Sequence, residues 1–199
     1  MKRAFDAIAA AVGLLLLAPV LLLIALAVRV DSPGPAIFRQ VRVGLSGREF
    51  KMLKFRSMTN DPAGPKASLT IAGDPRITRV GHLIRKAKLD ELPQLWNVVK
   101  GDMSLVGPRP EVPDFVALYP EAVRKEVLSV RPGITDYAAI AYKDENDILA
   151  VSRDPHQTYV REILPRKLAM YQEYVRTRSF IGDMRILYRT CTNLMRLDE

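Results

Sequence analysis

Ala7 to Val28 is a run of 22 residues without a charged side chain, interrupted by one proline at position 19. At about 1.5 Å per residue, a straight helix of that length reaches roughly 33 Å, close to the thickness of a bilayer's hydrocarbon core. Three arrangements accommodate such a run. It can cross a membrane. It can be a cleaved leader, with Met1-Lys2-Arg3 as the basic start and Ala25-Leu26-Ala27 as a small-x-small cleavage site. It can also enter the membrane, bend and return. Pro19 removes a backbone donor and displaces the carbonyl of Leu15, which predicts a kink. Each half is then about a dozen residues, roughly 18 Å, too short to cross alone. Bases flank both ends (Lys2 and Arg3 before, Arg29 after), as expected if both ends face the cytoplasm. Crossing helices tolerate proline, however, so the segment alone leaves the arrangement open. The leader reading loses weight because the remainder has one cysteine, Cys191, and no pairs.

The charge is concentrated beside this segment. The first 60 residues hold nine bases and three acids, a net of +6, whereas the other 139 hold 21 bases and 19 acids, a net of +2. The total of +8 points to phosphate-bearing partners: an anionic membrane, a nucleotide or a nucleic acid. A hydrophobic content of 48% is too high for a disordered chain. One cysteine and two isolated histidines, His82 and His156, argue against a disulfide framework or a structural zinc site.

Ser32-Pro33-Gly34-Pro35 ends the apolar helix. Ala36–Val43 and Glu49–Phe55 read as strands joined by Gly44-Leu45-Ser46-Gly47, a β-hairpin. Residues 59–75 read as a loop rich in Pro, Gly, Ala and Asp. Helices are expected over 76–89, over 90–100 with a stop at Gly101, near 113–130, over 159–176 and over 180–195. The last places Phe180, Met184, Leu187, Cys191 and Leu194 on one face, to pack on the domain or to lie on a membrane. The fold class expected is therefore α+β and mostly helical: a Pro-broken N-terminal apolar helix suited to a membrane (1–31), then a domain (32–199) with a short hairpin and amphipathic helices.

Acidic pairs occur at Asp90-Glu91, Asp144-Glu145 and Asp198-Glu199, so the dipeptide alone carries no signal. Asp90-Glu91 differs by context. Arg76, Arg79, Arg85, Lys86 and Lys88 precede it, and Arg109 follows in the loop Gly107-Pro108-Arg109-Pro110. If Asp90 caps the next helix, the helix dipole favours its ionised form and offers backbone N–H groups beside it. Such a carboxylate can hold Mg²⁺ or attack phosphorus as a nucleophile. The plain alternative is a cap paired with Arg85 or Lys88. The chain has no Gly-rich phosphate loop and no aromatic interleaving of a single-strand nucleic-acid groove.

Several stretches together resemble the bacterial sugar transferases, the monotopic phosphoglycosyl transferases in their minimal catalytic form. They are Asp6 before the Pro-interrupted helix, Ser32–Pro35 (SPGP), Phe38–Gly44 (FRQVRVG), Phe50–Met58 (FKMLKFRSM), Asp74–Lys86 (DPRITRVGHLIRK), Leu89–Pro110 (LDELPQLWNVVKGDMSLVGPRP) and Arg131–Thr135 (RPGIT). The resemblance implies transfer of a phosphosugar from a UDP-sugar to polyprenyl (undecaprenyl) phosphate, with release of UMP and with Mg²⁺ as cofactor. It implies Asp90 as the nucleophile and a ligand of the metal, Glu91 as its acidic partner, and Arg85 and Arg109 as cations on the phosphates. Lys54 and Arg56 fall in a matching motif and are expected to bind substrate. The Pro19 helix matches a re-entrant helix, which puts the protein on the cytoplasmic face of a bacterial inner membrane. A homodimer is compatible with this picture; nucleic acid has no part in it. After Thr135 many relatives continue with Gly, where this chain has Asp136-Tyr137, a region expected to bear on the sugar accepted. A rival reading from another class is a membrane-anchored basic adaptor for nucleic acid or anionic lipid, which would ignore Asp90 and need no Mg²⁺.

Overall fold

A computed structural model describes residues 1–59, 73–142 and 144–195. Most of the expected loop over 59–75, and the pair Asp198-Glu199, lie outside the described residues. Helix α1 (Lys2–Asp31) is followed by strands β1 (Ile37–Val43) and β2 (Glu49–Phe55), helices α2 (Arg79–Lys86) and α3 (Gln94–Lys100), and strand β3 (Ser104–Val106). Then come α4 (Pro113–Ala117), α5 (Glu121–Val127), β4 (Gly133–Thr135), α6 (Tyr137–Ala141), α7 (Glu145–Ala150), α8 (Pro155–Thr158), α9 (Leu164–Thr177) and α10 (Phe180–Met195). The mostly helical, hairpin-containing class is as expected.

β1 and β2 pair antiparallel from Ile37 opposite Phe55 to Val43 opposite Glu49, close to the expected bounds. β3 and β4 form a short parallel pair. That pairing brings two glycines together. A Cβ on Gly133 would lie 2.1 Å from the Gly107 nitrogen, so neither position has room for a side chain.

α1 is one continuous helix that includes Pro19. Asp6, Ala10, Gly13, Leu17, Leu21, Ile24 and Val28 recur at spacings of three and four and form its covered stripe. Ala10 packs with Met52, Val98 and Met103. Ile24 and Val28 pack with Phe55 and Ile84. The other faces stay bare: Leu15, Leu16, Leu22 and Leu23 are exposed.

Both ends of α1 are also tied by polar contacts. At the N-terminus Arg3 donates to the carbonyls of Val98 and Val99 (2.5 and 2.8 Å), and Lys2 reaches Asp183 at 2.6 Å. The buried Asp6 accepts from Ser104 Oγ at 2.7 Å. At the C-terminus Arg56 donates to the carbonyls of Val28, Ser32 and Pro33 at 3.2, 2.5 and 2.6 Å, and Asp31 accepts from the Val80 amide at 3.0 Å. A helix end leaves carbonyls without partners, and a buried guanidinium satisfies several at once.

Four expected elements are corrected. The helix expected from residue 76 starts at Arg79, because Thr78 caps it by accepting from the Gly81 amide. The helix expected from Asp90 starts at Gln94, because Leu89–Glu91 forms a separate 3₁₀ turn. The helix expected near 113–130 divides at Pro120. The helix expected over 159–176 opens with a π turn at Tyr159–Ile163. The face of α10 is also rotated. Its buried positions are Asp183 and Ile186, while Phe180 and Cys191 are exposed. Asp183 turns inward because Lys2 and the Tyr174 hydroxyl both donate to it, so a carboxylate occupies the domain-facing stripe.

Arg56→Gln leaves carbonyls at the α1 terminus without donors. It should lower stability by roughly 3 kcal/mol, read as a fall of about 10 °C in thermal unfolding midpoint in detergent.

Candidate active site

Asp90 and Glu91 sit on the 3₁₀ turn between α2 and α3. The turn opens at Lys88, whose φ of +55° lies in the left-handed region that non-glycine residues rarely adopt. This conformation separates the turn from α2, and the cap position of α3 falls at Pro93, so Asp90 is not the cap of that helix. The helix-dipole argument made from the sequence does not apply to it.

The two carboxylates have opposite surroundings. Glu91 is held from two sides. Lys54 of β2 donates to its Oε1 at 2.8 Å, and Arg109 grips both its oxygens, with Nη1 3.3 Å from Oε2 and Nη2 on Oε1. Burial alone would raise the Glu91 carboxyl, but the Arg109 and Lys54 charges outweigh it and hold it well below the usual range. The charge of Glu91 in turn raises Arg109. Lys54 is lowered by its burial, against the pull of Glu91.

Asp90 is 7% exposed, yet among the described residues no hydrogen bond or ion pair reaches its carboxylate. The expected alternative, a cap paired with Arg85 or Lys88, is therefore absent. Burial pushes the Asp90 carboxyl above its ordinary value, with Lys54 opposing and Glu91 reinforcing the shift. Arg85 and Arg109 add weaker opposing charges. Arg85 is half-buried, contacts only Ser57 Oγ at 3.4 Å, and has no carboxylate partner among the described residues. Counting Asp90, Glu91, Lys54, Arg85 and Arg109, the centre carries a net charge of +1, suited to an anion.

Arg56 stands apart from the other expected substrate-binding bases: its guanidinium is turned to the α1 terminus, as described above. The Arg109 loop is fixed by backbone contacts with β4 and its approach. Gly107 N donates to Thr135 O at 3.1 Å, and Gly133 N to Pro108 O at 3.0 Å. Behind it lies a network that the sequence did not single out. Arg42 of β1 meets Glu111 at 3.3 Å, Tyr159 donates to Glu111 at 2.6 Å, and Lys167 joins Glu111 (3.6 Å) and Glu145 (2.9 Å). A signal did exist, since Arg42 and Glu111 lie within or beside the FRQVRVG and GPRP stretches. Asp136, buried as expected of no surface turn, caps α6 through the Ala139 amide at 2.7 Å.

Among the described residues no three His, Cys, Asp or Glu side chains converge as a metal cage. The unengaged Asp90 carboxylate still suits Mg²⁺, which typically takes one or two carboxylates and completes its shell with water and substrate phosphate.

A family model for the bacterial sugar transferases matches residues 1–197. The chain belongs to this family. A UDP-glucose:undecaprenyl-phosphate glucose-1-phosphate transferase of Caulobacter vibrioides is 39% identical over the whole of this chain and 71% of its own length. An undecaprenyl-phosphate glucose phosphotransferase of Komagataeibacter xylinus is 42% identical over 95% of this chain. A UDP-glucose:undecaprenyl-phosphate glucose-1-phosphate transferase of Escherichia coli K12 is 40% identical over 96%. The chain spans only 35% and 39% of those last two relatives. In this bacterial sugar transferase the Leu89–Pro110 stretch brings Glu91 and Arg109 into contact, with Asp90 beside them in the turn.

Glu91→Gln removes the charge between Lys54 and Arg109 and leaves two half-buried cations facing each other. Stability should fall by roughly 2–3 kcal/mol at neutral pH, measured by thermal unfolding. The depressed Glu91 carboxyl contributes stability that is complete above the unfolded-state value near 4.3. That stability is lost as pH falls through the lower folded-state value, so the difference between wild type and Glu91→Gln should shrink in acid.

Proposed function

We propose that this chain transfers a phosphosugar from a UDP-sugar to undecaprenyl phosphate, in two displacements that share Asp90. The observation that carries the reading is a buried, unengaged aspartate beside a glutamate clamped by two cations, in a chain of the bacterial sugar transferase family. The names of the relatives support the donor and acceptor classes.

In the first step an Asp90 carboxylate oxygen attacks the phosphorus that bears the sugar. The bond from that phosphorus to the bridging oxygen breaks, and UMP leaves with the electron pair. In the second, a phosphate oxygen of the acceptor attacks the same phosphorus. The Asp90–phosphorus bond breaks, giving the lipid diphosphate sugar and restoring the carboxylate. Covalent catalysis of this kind lets two bulky substrates use one centre in turn. Arg85, with no carboxylate partner, is free to meet the diphosphate, while Arg109 and Lys54 contribute charge and hold Glu91 ionised. Glu91 is thereby fixed at the site as a permanent anion, suited to orient cations rather than to carry protons. Mg²⁺ held by Asp90 and the substrate phosphates would offset the charge of the reacting group.

The placement of α1 supports a membrane-inserted helix that does not cross. Both of its ends are bound to the same body, and the helix contains an 18-residue stretch with a mean hydropathy of 2.9. A crossing helix would carry its domain at one end alone, whereas contacts with the domain run along α1 from Lys2 to Asp31. α10 extends the apolar surface: Phe180 meets Phe5 of α1 edge to face at 5.2 Å, and Ile181 and Tyr188 are exposed beside Arg185 and Arg189. That composition suits a helix lying at headgroup depth. The centre then faces lipid phosphate on the cytoplasmic side of the inner membrane. A basic adaptor would have no use for a desolvated, unpartnered Asp90.

Asp90→Asn should reduce UMP release by at least about a thousandfold and leave the unfolding temperature equal or higher, because it removes an unpaired buried charge. Undiminished release would overturn the proposal. The raised Asp90 carboxyl must be ionised to attack. The acid limb of kcat/KM for the donor should therefore lie above the ordinary aspartate value near 3.9.

Topology is read by labelling. In a Cys191→Ser background, Ala4→Cys and Val30→Cys should both react with an impermeant maleimide from the cytoplasmic side alone. Opposite-side labelling of the two would identify a crossing helix.

A further inference from the structure

An open cavity of about 820 Å³ lies between the C-terminal half of α1 and the start of β1. Ala25, Ile37 and Phe38 give it apolar walls, and Arg29, Arg39 and Arg56 are the charged residues in its lining. No acidic side chain lines it. Arg29 and Arg39 are exposed, and neither makes an ion pair or hydrogen bond through its side chain among the described residues. Arg56, 3% exposed, gives its terminal nitrogens to the helix carbonyls but leaves its buried Nε without a partner. Its guanidinium meets carbonyls but no carboxylate among the described residues, so an anion in this groove would offset its buried charge.

We propose that this groove holds one anionic diacyl phospholipid of the surrounding bilayer as a resident ligand. Its phosphate sits between Arg29 and Arg39 above Arg56, and its chains run along Phe38 and the bare leucines of α1. Charge complementarity selects an anionic headgroup. The continuity of the apolar walls with the exposed face of α1 selects a lipid over free phosphate. The groove does not serve the reacting phosphates. Its lining includes neither Asp90, Glu91, Arg85 nor Arg109. The chain also divides the two regions: Arg56 turns to the α1 terminus, and the next residue, Ser57, turns to Arg85. A phosphate bound over Arg56 braces the exit of α1 from the membrane. The inference rests on the membrane placement proposed above, but its test needs neither donor nor acceptor.

The full chain, purified in detergent and stripped of bound lipid, is titrated with phosphatidylglycerol or phosphatidylcholine. Retained lipid is counted by native mass spectrometry. Wild type should retain one phosphatidylglycerol in preference to phosphatidylcholine and unfold at a higher temperature with it. Arg29→Gln/Arg39→Gln should bind phosphatidylglycerol roughly thirtyfold more weakly and lose that thermal gain. Arg29→Lys/Arg39→Lys should recover most of both, and UMP release at saturating acceptor should be unchanged in all three proteins. Equal retention of the two lipids by wild type, or undiminished retention by the Gln variant, would overturn the inference. So would a Gln variant that retains phosphatidylglycerol but shows a raised KM for undecaprenyl phosphate, which would make the groove the acceptor's. A chain that retains the lipid but releases no UMP would instead count against the proposed reaction alone.

Discussion

Glu91 is the point at which three separate stretches of chain become one site. Lys54 comes from the hairpin, Glu91 from the turn between α2 and α3, and Arg109 from the loop after β3. Each charge is partly removed from water, and each would be destabilising there alone; their mutual attraction and hydrogen bonds offset the desolvation. The consequence reaches the neighbouring residue. With both cations drawn onto Glu91, Asp90 is left buried and without a partner among the described residues, which raises the energy of its anion. Adjacent residues in one turn thus have opposite surroundings: one is held by cations, the other is not.

The same chain joins this site to an apolar surface. The covered stripe of α1 contributes Ala10 to one core cluster and Ile24 and Val28 to another, while its remaining faces stay bare. Arg3 and Arg56 fasten the two ends through main-chain carbonyls rather than through acidic side chains. Such contacts depend little on protonation, and they act beside the carboxylate contacts that Asp183 and Asp31 make at the same two ends.

Local chemistry was legible in the sequence. The hairpin bounds followed from alternation about Gly44 and Gly47, and the end of α3 from Gly101, whose φ is +100°. The basic context marked Asp90-Glu91 as unlike the other acidic pairs. What failed was what depends on contacts between distant segments. A lysine at positive φ gives no sequence signal, so Lys88 reads as part of the helix expected over 76–89, which ends at Lys86. Asp183 lies outside the apolar face expected of α10, and Lys2 and Tyr174, remote in sequence, hold it inward. Arg56 looked like a phosphate ligand because its motif is basic, whereas the helix end it satisfies lies on another element. The division of labour between Asp90 and Glu91 was hidden for the same reason, since it is set by Lys54 and Arg109.

The stripe on α1 has an implication for how this molecule can be divided. In many membrane-bound enzymes the anchor is an appendage, and trimming it yields a soluble catalytic body. Here the anchor is also an interior wall: cutting before Ser32 would bare Met52, Val98, Met103, Phe55 and Ile84 to solvent and strip Arg56 of its carbonyls. The seating of α1 and the completion of the hydrophobic core are therefore one folding event, in which the apolar helix is part of the body that follows it.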